Sequence, residues 1–178
     1  MNSQSSPRCI IVMGVSGSGK TTVARRMADA WGDHYVESDD LHSTSDIEKM
    51  SNGIPLDDED RVPWLHRIGE VLRLDAEQGR PSVTACSALK RSYRDILRTY
   101  VPSAFFVELD GPMDLIRSRI MSRHHEFMSP ALLESQFATL APLDDDERGI
   151  RVDVELPLET IMMRIESALS EAPRHASE

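Results

Sequence analysis

Short runs of consecutive apolar residues alternate along the chain with longer stretches whose apolar residues recur every three or four positions. Residues 9–13 form a continuous apolar run, followed by a glycine-rich turn and a helical pattern over 21–31. Residues 34–37 predict a second strand. Over 63–78 the apolar positions Trp64, Leu65, Ile68, Val71, Leu72 and Leu74 fall on helical spacing, and Gly79-Arg80-Pro81 breaks it. A third strand is expected at 82–86, a helix at 92–100, a fourth strand at 104–109, helices at 113–121 and 130–140, a fifth strand at 150–156 and a closing helix at 158–169. Regular strand–helix alternation predicts an α/β sandwich, with a parallel sheet and helices on both faces. Continuous rather than alternating apolar strands fit burial on both sides. The polar ends, 1–7 and 171–178, read as disordered tails around a single domain at 8–170.

A length of 178 residues is enough for one buried core, and the formal net charge of −10 changes what that core can serve. A general nucleic-acid binder needs a broad basic surface, so that class is disfavoured. Any anionic ligand must instead be held by locally arranged donors. No run approaches the roughly 20 apolar residues of a membrane span, and no secretory leader is evident, so the expectation is a cytoplasmic protein. Cys9 and Cys86 lie in apolar runs without metal-ligand spacing and read as buried free thiols.

The strongest chemical signal is Gly14-Val15-Ser16-Gly17-Ser18-Gly19-Lys20-Thr21, a full match to G-x-x-x-x-G-K-[ST] between a strand and a helix. Glycines let successive N–H groups turn inward, and the following helix adds its positive end. Lys20 is expected to reach the β- and γ-phosphates of ATP, Thr21 to ligate Mg²⁺, and Thr22 to complete the ATP-binding stretch. In a parallel sheet the ligand lies beyond the carboxyl ends of the strands, which directs attention to the second and third. After the second comes Ser38-Asp39-Asp40-Leu41-His42, where Asp39 can accept the proton of an attacking hydroxyl or, like Asp40, cap a helix beginning near His42. His42 itself reads as a ligand contact or a residue at a helix start. After the third come Lys90, Arg91 and Arg94, a basic cluster suited to a carboxylate or phosphate, although Lys90 alone fits a solvated helix face. Arg117, Arg119 and Arg123 precede a segment able to close over a triphosphate, and surface charge explains any one of them equally well. The run Asp144-Asp145-Asp146-Glu147 reads as a solvated loop.

Together with Ile47-Glu48-Lys49-Met50, Gly53-Ile54-Pro55-Leu56-Asp57-Asp58-Glu59-Asp60-Arg61, Pro63-Trp64-Leu65, Cys86-Ser87-Ala88-Leu89-Lys90-Arg91-Ser92-Tyr93-Arg94-Asp95 and Ser135-Gln136-Phe137-Ala138-Thr139-Leu140, these motifs resemble the gluconokinases of the P-loop type, in order from about residue 9 to 155. The resemblance implies a five-stranded parallel sheet of order 2-3-1-4-5 with a helical lid at about 119–140. It also implies phosphorylation of D-gluconate at its 6-hydroxyl by ATP, a product that feeds sugar-acid breakdown and the pentose phosphate route, and a homodimer. By the same resemblance Asp39 is the substrate-contacting base. Arg61 helps bind the sugar acid, Arg91 and Arg94 pair with its carboxylate, and Ser87 and Gln136 meet its hydroxyls. Arg119 and Arg123 belong to the ATP lid, Arg123 with a catalytic role. The chain departs from the family's pattern at Glu37, Glu126 and Ala138, where aspartate, histidine and glutamate are usual. The phosphate loop alone also fits a kinase of shikimate or of a nucleotide, or an ATP-binding sensor without catalysis.

Overall fold

The computed structural model describes residues 7–122 and 130–172. Strands β1 (Cys9–Met13), β2 (His34–Glu37), β3 (Ser82–Ala85), β4 (Phe105–Asp110) and β5 (Gly149–Asp153) form one sheet in the order β2-β3-β1-β4-β5. Every pairing is parallel. Ile10 lies opposite Val83 on one side and Phe105 on the other. Helices α1 (Lys20–Trp31), α2 (Thr44–Ser51), α3 (Asp58–Glu77), α4 (Arg91–Tyr100), α5 (Met113–Ser122), α6 (Pro130–Thr139) and α7 (Leu158–Glu171) make the connections.

The central strand explains the sandwich. All five residues of β1 are buried, because alternate side chains enter opposite cores. Ile10 and Val12 pack with Val23 and Met27 of α1 and Ile161 and Ile165 of α7. Cys9, Ile11 and Met13 pack with Trp64, Leu65 and Ile68 of α3 and Leu97 of α4. Both cysteines are free and buried, as expected, and burial pushes each thiol up to about 12. A third apolar group joins Val15 of the glycine loop to Ile116, Ile120 and Leu133, tying the loop to α5 and α6.

Helix α3 begins five residues before the expected Pro63. A capping box sets its start: Asp57 Oδ1 accepts from Asp60 N–H at 3.0 Å, and Asp60 Oδ2 accepts from Asp57 N–H at 3.2 Å. Pro63 lies inside the helix. A second box, Ser43 with Asp46, starts α2. Neither Asp39 nor Asp40 caps that helix; both lie in a one-turn 3-10 segment, Asp39–Leu41.

The expected role of Arg94 as a carboxylate clamp is corrected here. Its side chain is completely buried and paired with the equally buried Glu147, with Nε to Oε1 at 2.7 Å and Nη2 to Oε2 at 2.6 Å. Nη1 donates to Ala141 O at 3.0 Å and to Ala88 O at 3.3 Å, and Nη2 donates to Pro142 O at 3.3 Å. Arg98 adds a further bond to Glu147. Glu147 is therefore no solvated loop residue but the anchor of the segment that follows α6. Burial alone would raise its carboxyl pKa, but hydrogen bonds from Arg94, the Asp144 N–H and Arg98 hold it at about 2.

Arg94→Met leaves a buried carboxylate short of its bidentate partner and should cost about 3–5 kcal/mol in urea unfolding, with Arg94→Met/Glu147→Leu recovering most of it. Because the folded pKa lies below the ordinary 4.5, this contribution is complete above that pH and should fade as pH falls toward about 2. An acid titration of the unfolding midpoint should show that loss in wild type and not in the double variant.

Candidate active site

The sheet order brings the carboxyl ends of β2, β3 and β1 side by side, and several of the candidate residues lie there. At the end of β1 the chain enters the phosphate loop through Gly14 at φ 141°, Gly17 at 78° and Gly19 at 100°. Side chains rarely adopt these angles, and at Gly14 and Gly17 space opposes them as well. A β-carbon on Gly17 would lie 2.5 Å from Ile120, and one on Gly14 would lie 2.9 Å from Leu109 O. Lys20 Nζ donates to Val15 O at 2.9 Å, holding the ammonium across the loop. Ser18 Oγ is buried there with no hydrogen-bond partner. The glycine-rich turn, the N-terminus of α1 and the ammonium together suit an anion.

The loop opens into a cleft of about 530 Å³ lined by Lys20, Thr21, Thr22, Glu37, Asp39, His42, Arg61 and Ser87 among others. The turn carrying Asp39 is fastened on both sides. Ser38 Oγ donates to Ala85 O, Trp64 Nε1 donates to Ser38 O at 2.8 Å, and Arg67 Nε donates to Leu41 O at 2.6 Å. Burial raises the Asp39 pKa above the ordinary carboxylate value, and the nearby Glu37 charge adds to it while His42 and Lys20 oppose. Glu37 is itself held by Arg25 at 3.1 Å and by the Tyr35 hydroxyl at 3.0 Å. The His42 ring stacks on Trp64 with centroids 4.3 Å apart, and burial lowers its pKa, so the neutral ring is favoured. Its Nδ1 stands 3.6 Å from Asp46 Oδ2, too far for a hydrogen bond.

Of the remaining expected residues, Arg61 lines the cleft with Nε donating to Leu56 O at 3.0 Å. Ser87 follows β3, and its carbonyl accepts from Gly14 N–H at 3.3 Å. Ala88, next in the chain, takes a left-handed φ of 39° and is fully buried. Gln136 lines the cleft from α6, with Oε1 accepting from the Ser16 N–H at 2.7 Å. Arg91 is not in the cleft; its guanidinium is paired with Asp144 at 2.8 Å and Asp146 at 2.7 Å. Arg119 donates to Val154 O at 2.8 Å, away from the cleft-lining residues. Ala138 is exposed, while Arg123, His125, Glu126 and Phe127 lie outside the described residues. Periodicity did not single out Ile47, Met50, Ile54 and Leu132 as cleft-lining residues, although they do line it. Ile47 is 49% and Ile54 51% accessible, while Leu132 is half-buried.

A buried strand ending in this loop, on a parallel 2-3-1-4-5 sheet, defines a kinase of the P-loop class. The family described as "AAA domain" matches residues 9–143. The chain is 47% identical over 149 residues to the gluconokinase of Gluconobacter oxydans, covering 84% of each. A sugar kinase from Janibacter sp. HTCC2649, solved unliganded, superposes with a TM-score of 0.88 at 46% identity, over 97% of this chain and 99% of that one. A gluconokinase structure from Sinorhizobium meliloti gives 0.84 at 44% identity, over 93% of each chain. The chain belongs to the gluconokinase family.

Gly17→Ala combines an unfavourable φ with the Ile120 clash, a strain of about 1–3 kcal/mol. Calorimetry with a non-hydrolysable ATP analogue should show affinity reduced about tenfold or more while circular dichroism keeps the wild-type helix signal.

Proposed function

We propose that this protein transfers the γ-phosphoryl group of ATP to the 6-hydroxyl of D-gluconate, giving 6-phosphogluconate and ADP. The observation that carries this reading is Asp39, a carboxylate of raised pKa held in the same cleft as the phosphate loop and Arg61. The 47% identity to a gluconokinase supports the choice of acceptor.

The loop amides and Lys20 hold the triphosphate and neutralise charge that gathers on the transferred group. The residues present fit a Mg²⁺–nucleotide. The Thr21 hydroxyl lines the cleft, Ser18 Oγ lacks a partner, and no described cluster of three or more acidic, histidine or cysteine residues would hold the ion without the phosphates. Mg²⁺, held by Thr21 and phosphate oxygens, would supply further neutralisation of the β- and γ-phosphates. Asp39 orients the 6-hydroxyl and takes its proton as the new O–P bond forms and the bond to the ADP oxygen breaks. Arg61 steadies the sugar acid, with His42 and Ser87 beside it. Gln136 stands between substrate and loop, and Arg119 and Arg123 belong to the nucleotide side. On this reading the protein is a cytoplasmic homodimer that feeds sugar-acid breakdown. No helix among the described residues is long and apolar enough to cross a membrane.

A coupled assay of ADP formation over gluconate, other sugar acids, shikimate and nucleoside monophosphates tests the assignment. Gluconate should be the preferred acceptor, and turnover of shikimate or a nucleotide without gluconate would reject it. Asp39→Asn should lower kcat about 100-fold or more with little change in the KM for ATP. Since burial raises the Asp39 pKa, the base form is lost at a higher pH than for a free aspartate. The wild-type kcat should therefore fall on the acid side, and the residual kcat of Asp39→Asn should lack that limb.

A further inference from the structure

Gluconate carries its reacting hydroxyl at one end and a permanent negative charge at the other. A six-carbon chain separates them by roughly 6–7 Å at ordinary bond lengths. A cation must therefore stand farther along the cleft from Asp39. The two arginines expected to supply it are committed elsewhere, Arg94 to Glu147 and Arg91 to Asp144 and Asp146.

The cleft continues past Arg61 into a second pocket of about 450 Å³. The two share Pro55, Leu56, Arg61, Leu132 and Gln136, and the second adds Lys90, Tyr93 and Asp58. Arg61 lines both the cleft that holds Lys20 and Asp39 and the pocket that holds Asp58 and Tyr93. It therefore stands between the reacting end and the second pocket. Among the described residues lining one pocket or the other, the lysines and arginines are Lys20, Arg61 and Lys90, and Lys20 belongs to the phosphate loop.

Resting on the gluconate reading above, we propose that Lys90 is a specificity-determining residue that reads the substrate's carboxylate together with Arg61, and that Asp58 occupies Lys90 in its place while the site is empty. Lys90 Nζ donates to both Asp58 oxygens, at 2.7 and 2.8 Å, and lies 5.3 Å from the Tyr93 ring centroid. The Tyr93 hydroxyl donates to the same carboxylate. These bonds, from Lys90 first, lower the Asp58 pKa and keep it anionic. The pair is open to solvent, with side-chain exposures of 36% and 59%, so it is weak enough for another carboxylate to exchange into. Of the other acids lining this pocket, Asp57 is spent on capping α3 and Glu59 is exposed. Arg61 and Lys90 together thus offer a two-cation seat at the far end of a chain whose other end meets Asp39.

The test compares wild type, Lys90→Met, Lys90→Arg and Asp58→Asn with gluconate and with glucitol, which has the same carbon chain and no carboxylate. Lys90→Met should raise the KM for gluconate about tenfold or more, the loss of one charge-assisted contact, with kcat and the KM for ATP nearly unchanged. Its preference for gluconate over glucitol should shrink by a similar factor, and Lys90→Arg should keep most of it. Asp58→Asn should move the other way and lower the KM for gluconate, because the competing anion is gone. If Lys90→Met and Asp58→Asn both raise that KM alike, the pair is only structural and the inference is overturned. A wild type active on gluconate whose KM ignores Lys90→Met overturns the inference alone. A wild type inert toward gluconate refutes the assigned reaction and the inference with it.

Discussion

The structure depends on one constraint: a strand buried on both faces must pass through a tight glycine-rich turn straight into a helix N-terminus. β1 has no solvent-facing side chain, so it is fixed by both cores at once. The three positive-φ glycines then let the chain fold back before α1 begins. A rigid strand and a helix end converge on a cradle whose donors are backbone, which cannot rotate away as side chains can. In an acidic protein of net charge −10, an anionic ligand needs such local donors to be held against the average field.

The remaining parts are positioned relative to that cradle by neighbouring strand ends. The Asp39 turn is tied to β3 through Ser38 and to α3 through Trp64, so the carboxylate has little freedom to move from the loop. The Arg94–Glu147 pair anchors the far side. It grips the carbonyls of Ala88 after β3 and of Ala141 and Pro142 after α6. That fixes the base of α6, whose Gln136 meets the Ser16 amide. A buried ion pair adds little net stability over an apolar replacement, and its effect here is geometric, joining the third strand's end to the segment after α6.

Local signals in the sequence were enough to place the sheet, the loop and Asp39. The β1 run, the glycine spacing and the strand-end rule all act within a few residues. Helix α3 starts ahead of its first apolar-periodic residues because the polar Asp57–Asp60 box, which periodicity does not register, sets its first turn. The fate of Arg94 was not legible. Its partner lies 53 residues away, and Arg91 and Arg94 look alike in the sequence until one of them is buried. The same holds for Lys90, read alone as a surface lysine: only the joining of two pockets across α3, α4 and α6 gives it a role.

The most direct measurement is a crystal structure with ADP, magnesium, aluminium fluoride and gluconate bound together. The account predicts the fluoride mimic of the transferring group seated on the loop amides and Lys20. The gluconate 6-hydroxyl should lie in line with it and within hydrogen-bond reach of Asp39. A sugar acid bound with its carboxylate toward the fluoride, or with Asp39 turned away from every hydroxyl, would contradict it.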